Sequence, residues 1–157
     1  LESACLKYFQ DFYRAHMQER TRPYDGVLDM LDGLHELGLQ TGILSNKFHE
    51  AACALSRIFF AGRIDVTQGE QQEIPRKPDP AGLIRLMKKL GVSPEETVYL
   101  GDSPEDARTA QHAGVDFVAV TWGYRTLDQL REAGAREWIN RPEQLVAELR
   151  RETRRKG

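Results

Sequence analysis

Apolar residues in the first stretch of the chain recur at helical spacing. Cys5, Tyr8, Phe9, Phe12, Tyr13 and Met17 form one stripe, which predicts a helix over residues 4–17. Thr21-Arg22-Pro23 ends it, because the residue before a proline is steered away from the helical region. Residues 23–26 then read as a linker. Beyond it the pattern becomes a regular alternation. Val27, Met30, Leu31, Leu34 and Leu37 predict a helix, with Gly38 as its left-handed cap. Residues 39–44 predict a strand, 51–59 a helix and 64–67 a short strand. Asp79 caps and Pro80 opens the next helix, whose stripe is Leu83, Ile84, Met87 and Leu90. Residues 97–100 predict a strand, and 104–113 a helix closed by Gly114. Residues 117–120 predict a strand, and 127–133 a helix closed by Gly134. Trp138-Ile139 reads as a last short strand and 142–150 as a final helix.

Strands that alternate with helices imply an α/β fold built on a parallel sheet. With 157 residues the chain is long enough for one domain, which at this size buries roughly 68–70% of its unfolded surface. A hydrophobic fraction of 40% and a charged fraction of 29% fit a globular protein. The net charge of −2 provides no bulk attraction to nucleic acid or to an anionic membrane. Apolar runs are only a few residues long, far short of a membrane span, and no signal peptide is visible. The basic tail from Arg150 to Lys156 lacks interleaved aromatic residues. It reads as a fraying, solvated helix end rather than a nucleic-acid patch. Cys5 and Cys53 have neither metal-ligand nor Cys-x-x-Cys spacing, so two reduced thiols in a cytoplasmic protein are expected. His16, His35, His49 and His112 are scattered, with no two at ligand spacing.

Ligands of open α/β sheets bind at the carboxyl ends of the strands. Ser45, Asn46 and Asp102 each fall just past a predicted strand, and Lys77 lies in a loop that leads into a helix. Three separated segments thus bring a hydroxyl, an amide, an ammonium and carboxylates to one edge. Phosphoryl transfer needs such a set, namely donors and positive charge around the phosphate oxygens, with a metal ion for the remaining charge. Asp102 is the candidate metal ligand, a hard oxygen suited to Mg²⁺, which takes one or two carboxylates and keeps several waters. Asp106 lies one helical turn later on the same face. It is read as supporting that site, either by holding a metal-bound water or by orienting Lys77. In Asp102-Ser103-Pro104, Ser103 is expected as the N-cap with Pro104 in the first turn, which leaves Asp102 without a capping role. Asp79 is assigned capping alone. The Lys77–Pro78 bond is a candidate for the cis form, since a sharp turn must aim Lys77.

Ser-Asn after a hydrophobic strand, then Arg76-Lys77-Pro78-Asp79-Pro80, then Gly101-Asp102-Ser103-Pro104-Glu105-Asp106 followed by Ala110-Gln111-His112-Ala113-Gly114, closely resembles the haloacid dehalogenase-like (HAD) hydrolases. The resemblance covers nearly all of residues 21–140. Within it, the Asn46-Lys47 that follows Ser45 is similar to the phosphoglycolate phosphatases. The resemblance implies a Rossmann-like three-layer core with a parallel sheet, and a Mg²⁺-dependent phosphatase acting on a small phosphorylated metabolite. It implies that Ser45 bonds the transferring phosphoryl group with help from the Asn46 backbone. Lys77 would neutralise the phosphate and the nucleophile, Asp102 would bind Mg²⁺, and Asp106 would support it. Haloacid dehalogenases resemble the chain less at 101–103, where Asp102 favours the phosphatases.

One family motif is missing. The Asp-x-Asp-Gly-Thr strand, whose first Asp forms an aspartyl-phosphate, has no counterpart here, since neither Asp25-Gly26 nor Asp65 has the required partners. Residues 1–20 are therefore expected to be the C-terminal part of a helical cap, and 21–157 an α/β core lacking its first strand. That strand is central in the family, so its absence implies two unpaired flanking strands. Three readings follow: a phosphatase whose nucleophile lies outside these residues, a truncated non-catalytic module that binds phosphate or a partner, and, less well supported, a dehalogenase.

Overall fold

The computed structural model describes residues 22–156; the helix expected over 4–17, the cap expected over 1–20, Cys5 and His16 lie outside them. After an irregular stretch, α1 runs Val27–Glu36. Then follow β1 Gly42–Phe48, α2 His49–Phe60, β2 Val66–Glu70 and α3 Ala81–Leu90. A 3₁₀ turn at Pro94–Glu96 leads into β3 Val98–Gly101 and α4 Pro104–Ala113. The chain ends with β4 Asp116–Val120, α5 Leu127–Glu132, β5 Glu137–Ile139 and α6 Glu143–Lys156. No helix among the described residues is long and apolar enough to cross a membrane.

Four of the five returns from helix to strand among the described residues share one chemistry. Gly38 (φ 75°) and Gly114 (φ 69°) take the left-handed conformation, which costs glycine nothing sterically. At the first, the Gly38 N–H donates to the His35 carbonyl at 2.9 Å and the Leu39 N–H to the Leu34 carbonyl at 3.0 Å. This is the Schellman pair of bonds that satisfies the last helical carbonyls. Equivalent pairs close α3 at Gly91, α4 at Gly114 and α5 at Gly134.

All strand pairings among the named elements are parallel, in two sets ordered β1-β2 and β3-β4-β5. No strand bond joins β1 to β3, so each of these two strands is paired on one side only among the described residues. Side chains bridge the division. Along β4, Val118 and Val120 belong to a core with Met30, Leu31, Leu34, Ile139, Leu145 and Val146. The alternating Phe117 and Ala119 instead pack with Leu130 and Ala135. Strand side chains alternate between faces, so helices cover both sides and the architecture has three layers. On the face opposite the α1–α6 core, Leu83 and Met87 of α3 pack with Val115, Leu44 of β1 and Tyr99 of β3. Those two strands lie in different sheets.

Most predicted elements differ from the observed ones by a residue or two at their ends. Two differences are larger. The first strand was expected over 39–44 but spans Gly42–Phe48, because Leu39 is consumed in closing α1 and pairing resumes at Phe48↔Glu70 beyond a register break. Ser45 and Asn46 therefore lie inside β1, at that irregularity, rather than past its end. The last helix was expected to stop near 150 with a frayed basic end, yet it runs to Lys156. Arg, Glu and Lys are strong helix formers that need no buried face. A buried leucine that links the two sheets should matter to the whole fold. Leu83→Ala is expected to lower unfolding free energy by about 3 kcal/mol, measured by urea denaturation; a loss under about 1 kcal/mol would show that α3 does not hold the sheets together.

Candidate active site

The carboxylate of Asp106 lies at the centre of the site. It sits in the first turn of α4, only 4% exposed. Ser103 caps that helix, accepting the Asp106 N–H at 3.2 Å, and its hydroxyl donates back to Asp106 Oδ2 at 2.8 Å. The Asp102 N–H donates to the same oxygen at 3.2 Å. Lys77 Nζ donates to Oδ1 at 2.6 Å, and the Tyr99 hydroxyl donates to Oδ1 at 2.9 Å. One carboxylate thus gathers the 76–80 loop, β3 and the start of α4. Gly101 makes this approach possible, because a Cβ there would overlap the Asp106 side chain.

Lys77 is aimed by its own loop. The Lys77–Pro78 peptide bond is cis, as its place in a sharp turn suggested. The Lys77 N–H donates to Asn46 Oδ1 at 3.0 Å, which ties the loop to β1. His112 Nδ1 of α4 lies 3.0 Å from the Pro78 carbonyl oxygen, an acceptor, so that nitrogen carries a proton. Asp79 accepts the Ala81 N–H at 2.8 Å, the capping contact expected of it, although α3 is counted from Ala81 rather than Pro80. Ser45 Oγ accepts the Lys47 N–H at 3.1 Å, which leaves the hydroxyl proton free to be donated. Ser45, Asn46, Arg76 and Lys77 line one pocket, with Gln68 and Gly69 of β2 in its wall.

Asp102 sits just past β3, as expected. Its carboxylate lies against Gly123, where a Cβ would overlap Asp102 Oδ2. No hydrogen bond or ion pair to its side chain occurs among the described residues. A partly buried carboxylate without a partner, beside a residue that leaves it room, suits a hard cation. Asp106 differs, since both its oxygens are already bonded. Among the described residues no group of three or more His, Cys, Asp or Glu side chains forms a closed metal cage. Mg²⁺ does not require one, because it keeps waters and shares phosphate oxygens. The residues present thus fit a single-carboxylate contribution from Asp102.

Sequence reasoning missed Tyr99 as a partner of Asp106, the Asn46 side chain as the anchor of Lys77, and Gly123 as the neighbour of Asp102. The Asn46–Lys77 and Asp102–Gly123 links join distant segments, and the Tyr99–Asp106 link depends on how α4 folds back on β3.

Burial pushes the Asp106 carboxyl upward, but the Lys77 ammonium and the donors from Lys77, Ser103 and Tyr99 outweigh it and hold the group below the usual carboxylate range. Burial, reinforced by the Asp106 charge, pushes the Tyr99 phenol up, so it remains an O–H donor. Asp106→Asn leaves Lys77, 15% exposed, without its counter-ion, and is expected to cost about 3 kcal/mol of stability at neutral pH. A depressed acid contributes stability above its unfolded value of about 3.9 and loses it as pH falls through the lower folded value. The gap between the wild type and this variant should therefore be constant from neutral pH down to about 5 and narrow below about 4. Urea titrations across that range check it, and a gap that is already closing near pH 6 would contradict the assignment.

The sequence of residues 2–120 matches the model of the haloacid dehalogenase-like hydrolase family. The chain is 30% identical over 145 residues to N-acetylmuramic acid 6-phosphate phosphatase of Pseudomonas aeruginosa, covering 91% of this chain and 64% of that protein. It is 34% identical over 119 residues to phosphoglycolate phosphatase of Xylella fastidiosa, covering 75% and 52% respectively. A solved structure from Lactobacillus delbrueckii subsp. bulgaricus, provisionally named a phosphoglycolate phosphatase, superposes with a TM-score of 0.85 at 36% identity, over 90% of this chain and 59% of that one. The chain thus spans between about half and two thirds of the length of these relatives. With its parallel sheets, its helix-covered faces and a lysine–aspartate pair at the carboxyl ends of the strands, the chain belongs to the haloacid dehalogenase-like hydrolase family.

Proposed function

We propose that these residues form the phosphate clamp of a Mg²⁺-dependent phosphatase that hydrolyses a small, phosphoglycolate-like phosphorylated metabolite. The observation that carries this reading is the Lys77–Asp106 pair, 2.6 Å long and largely buried beside Ser45 and Asn46. A lysine in that position is far more than a solvated surface charge. The two first-named relatives are both phosphatases, one of a sugar phosphate and one of phosphoglycolate.

In this mechanism Lys77 spends one N–H on Asp106 and keeps two for phosphate oxygens. The Ser45 hydroxyl donates to a third oxygen, and the main chain at Asn46 assists. Asp102 would hold Mg²⁺, which would supply neutralising charge to the phosphate. An aspartate carboxylate attacks phosphorus, the ester oxygen leaves and takes a proton, and water then cleaves the acyl-phosphate. None of the aspartates at this site suits the attack, since Asp106 is fully bonded and Asp102 is given to the cation. We assign the nucleophile to a strand seated between β1 and β3, whose facing edges are both unpaired among the described residues. A free thiol at Cys53 is compatible with a cytoplasmic setting. The same open edges favour the alternative reading, a non-catalytic module that binds phosphate or a partner strand. The Asp102 carboxylate counts against a dehalogenase.

In the complete protein, Asp102→Asn is expected to lower Mg²⁺-dependent hydrolysis of phosphoglycolate or a sugar phosphate at least 100-fold. Chelation with EDTA should do the same to the wild type, with recovery on adding Mg²⁺; near-normal turnover of the variant would refute the metal assignment. Lys77→Ala should lose kcat by a similar factor, and a change confined to KM would refute its action in the transition state. A complete protein that binds phosphate yet hydrolyses no ester would support the non-catalytic reading.

A further inference from the structure

We infer that Tyr99 is a positioning residue for Lys77, acting through the Asp106 carboxylate. This inference rests on the phosphatase reading above and extends it to a residue outside the motifs that first marked the site.

Asp106 Oδ1 accepts two donors, Lys77 Nζ at 2.6 Å and the Tyr99 hydroxyl at 2.9 Å. Oδ2 is fixed separately by Ser103 and by the Asp102 N–H. Both donors to Oδ2 belong to the start of α4, the segment that carries Asp106 itself. The phenol adds a bond from β3 and takes one lone pair of Oδ1, which leaves the ammonium the other. Its own position is fixed. Tyr99 packs against the cluster of Leu83, Met87 and Val115, and its ring stands 6.1 Å from that of Phe117 at a tilt of 47°. The hydroxyl is therefore presented from a rigid, apolar wall, and it stays protonated beside the negative charge. Lys77 in turn has only three donors, and the direction of the one bonded to Asp106 sets the other two. Displacements well under 1 Å at such a group are enough to cost catalysis. The hydroxyl makes no other bond among the described residues. Packing alone would be served equally well by phenylalanine.

Tyr99→Phe keeps the ring and removes only the hydroxyl. In the complete protein with its best phosphate ester, the variant is expected to lose about tenfold in kcat with KM changed less than twofold. Its melting temperature should stay within a few degrees of the wild type. A readout independent of turnover is the ¹⁵Nζ–H cross-peak of the Lys77 ammonium at low temperature. That signal should be sharp in the wild type and broadened or absent in Tyr99→Phe. Unchanged kcat, or a Lys77 cross-peak as sharp as in the wild type, would overturn the inference. A rise in KM at unchanged kcat would likewise overturn it, because the hydroxyl would then serve binding alone. If the unsubstituted protein hydrolyses no phosphate ester, the phosphatase reading itself fails; if only the variant's expected loss is missing, that reading stands and the role of Tyr99 falls.

Discussion

A carboxylate buried to 4% exposure could not remain charged without partners, and the architecture around Asp106 is organised to supply them. Removing an ion from water costs several kcal/mol even after relaxation. Here the cost is offset by an ammonium from the 76–80 loop and by two hydroxyls and a main-chain N–H from β3 and the start of α4. The pair is therefore a requirement for register as much as a source of stability. The 76–80 loop, β3 and α4 must meet in one arrangement, or a charge is left unsatisfied. Glycine at position 101 follows from the same requirement, since any side chain there would occupy the space of Asp106.

The division of the strands into two sets gives this pair a second importance. Between β1 and β3 no main-chain ladder exists among the described residues. What crosses is side-chain packing, through Leu44, Leu83, Met87 and Tyr99, together with the polar chain from Asn46 to Lys77 to Asp106. The apolar part is insensitive to direction, whereas the polar part fixes the relative position of the two halves at the edge where phosphate is proposed to bind. Asn46 and Tyr99 thus act as the two ends of one connection.

Much of this was legible in the sequence. Helical stripes and glycine stops located the helices, and Ser45, Asn46, Lys77, Asp102 and Asp106 followed from the residues found at strand ends and from the spacing of the motifs. The rest depended on tertiary contact. The first strand was misplaced because the bonds of Leu39 belong to the preceding helix and because Phe48 pairs beyond an irregularity that no alternation announces. Tyr99 looked like one more apolar strand residue, and its hydroxyl gains meaning only when α4 folds back over it. Gly123 looked like a loop glycine until the Asp102 carboxylate was placed beside it. The basic tail, expected as a fraying and solvated helix end, is solvated, but the helix propensity of its residues carries α6 onward.

The four glycine-closed returns divide the molecule into two rims with different tolerances. Each leads from a helix into the beginning of a strand, with α4 passing into β4 across only Gly114 and Val115. A return so short, with its last carbonyls already satisfied, has little room for insertions or for new side chains. The opposite rim carries the connections from Glu70 to Ala81 and from Val120 to Leu127, and both border the candidate site. Sequence change that reshapes the candidate site has room on that rim without disturbing the capped returns. In evolutionary terms, one edge of the sheet is the chassis and the other is where relatives of this chain would diverge.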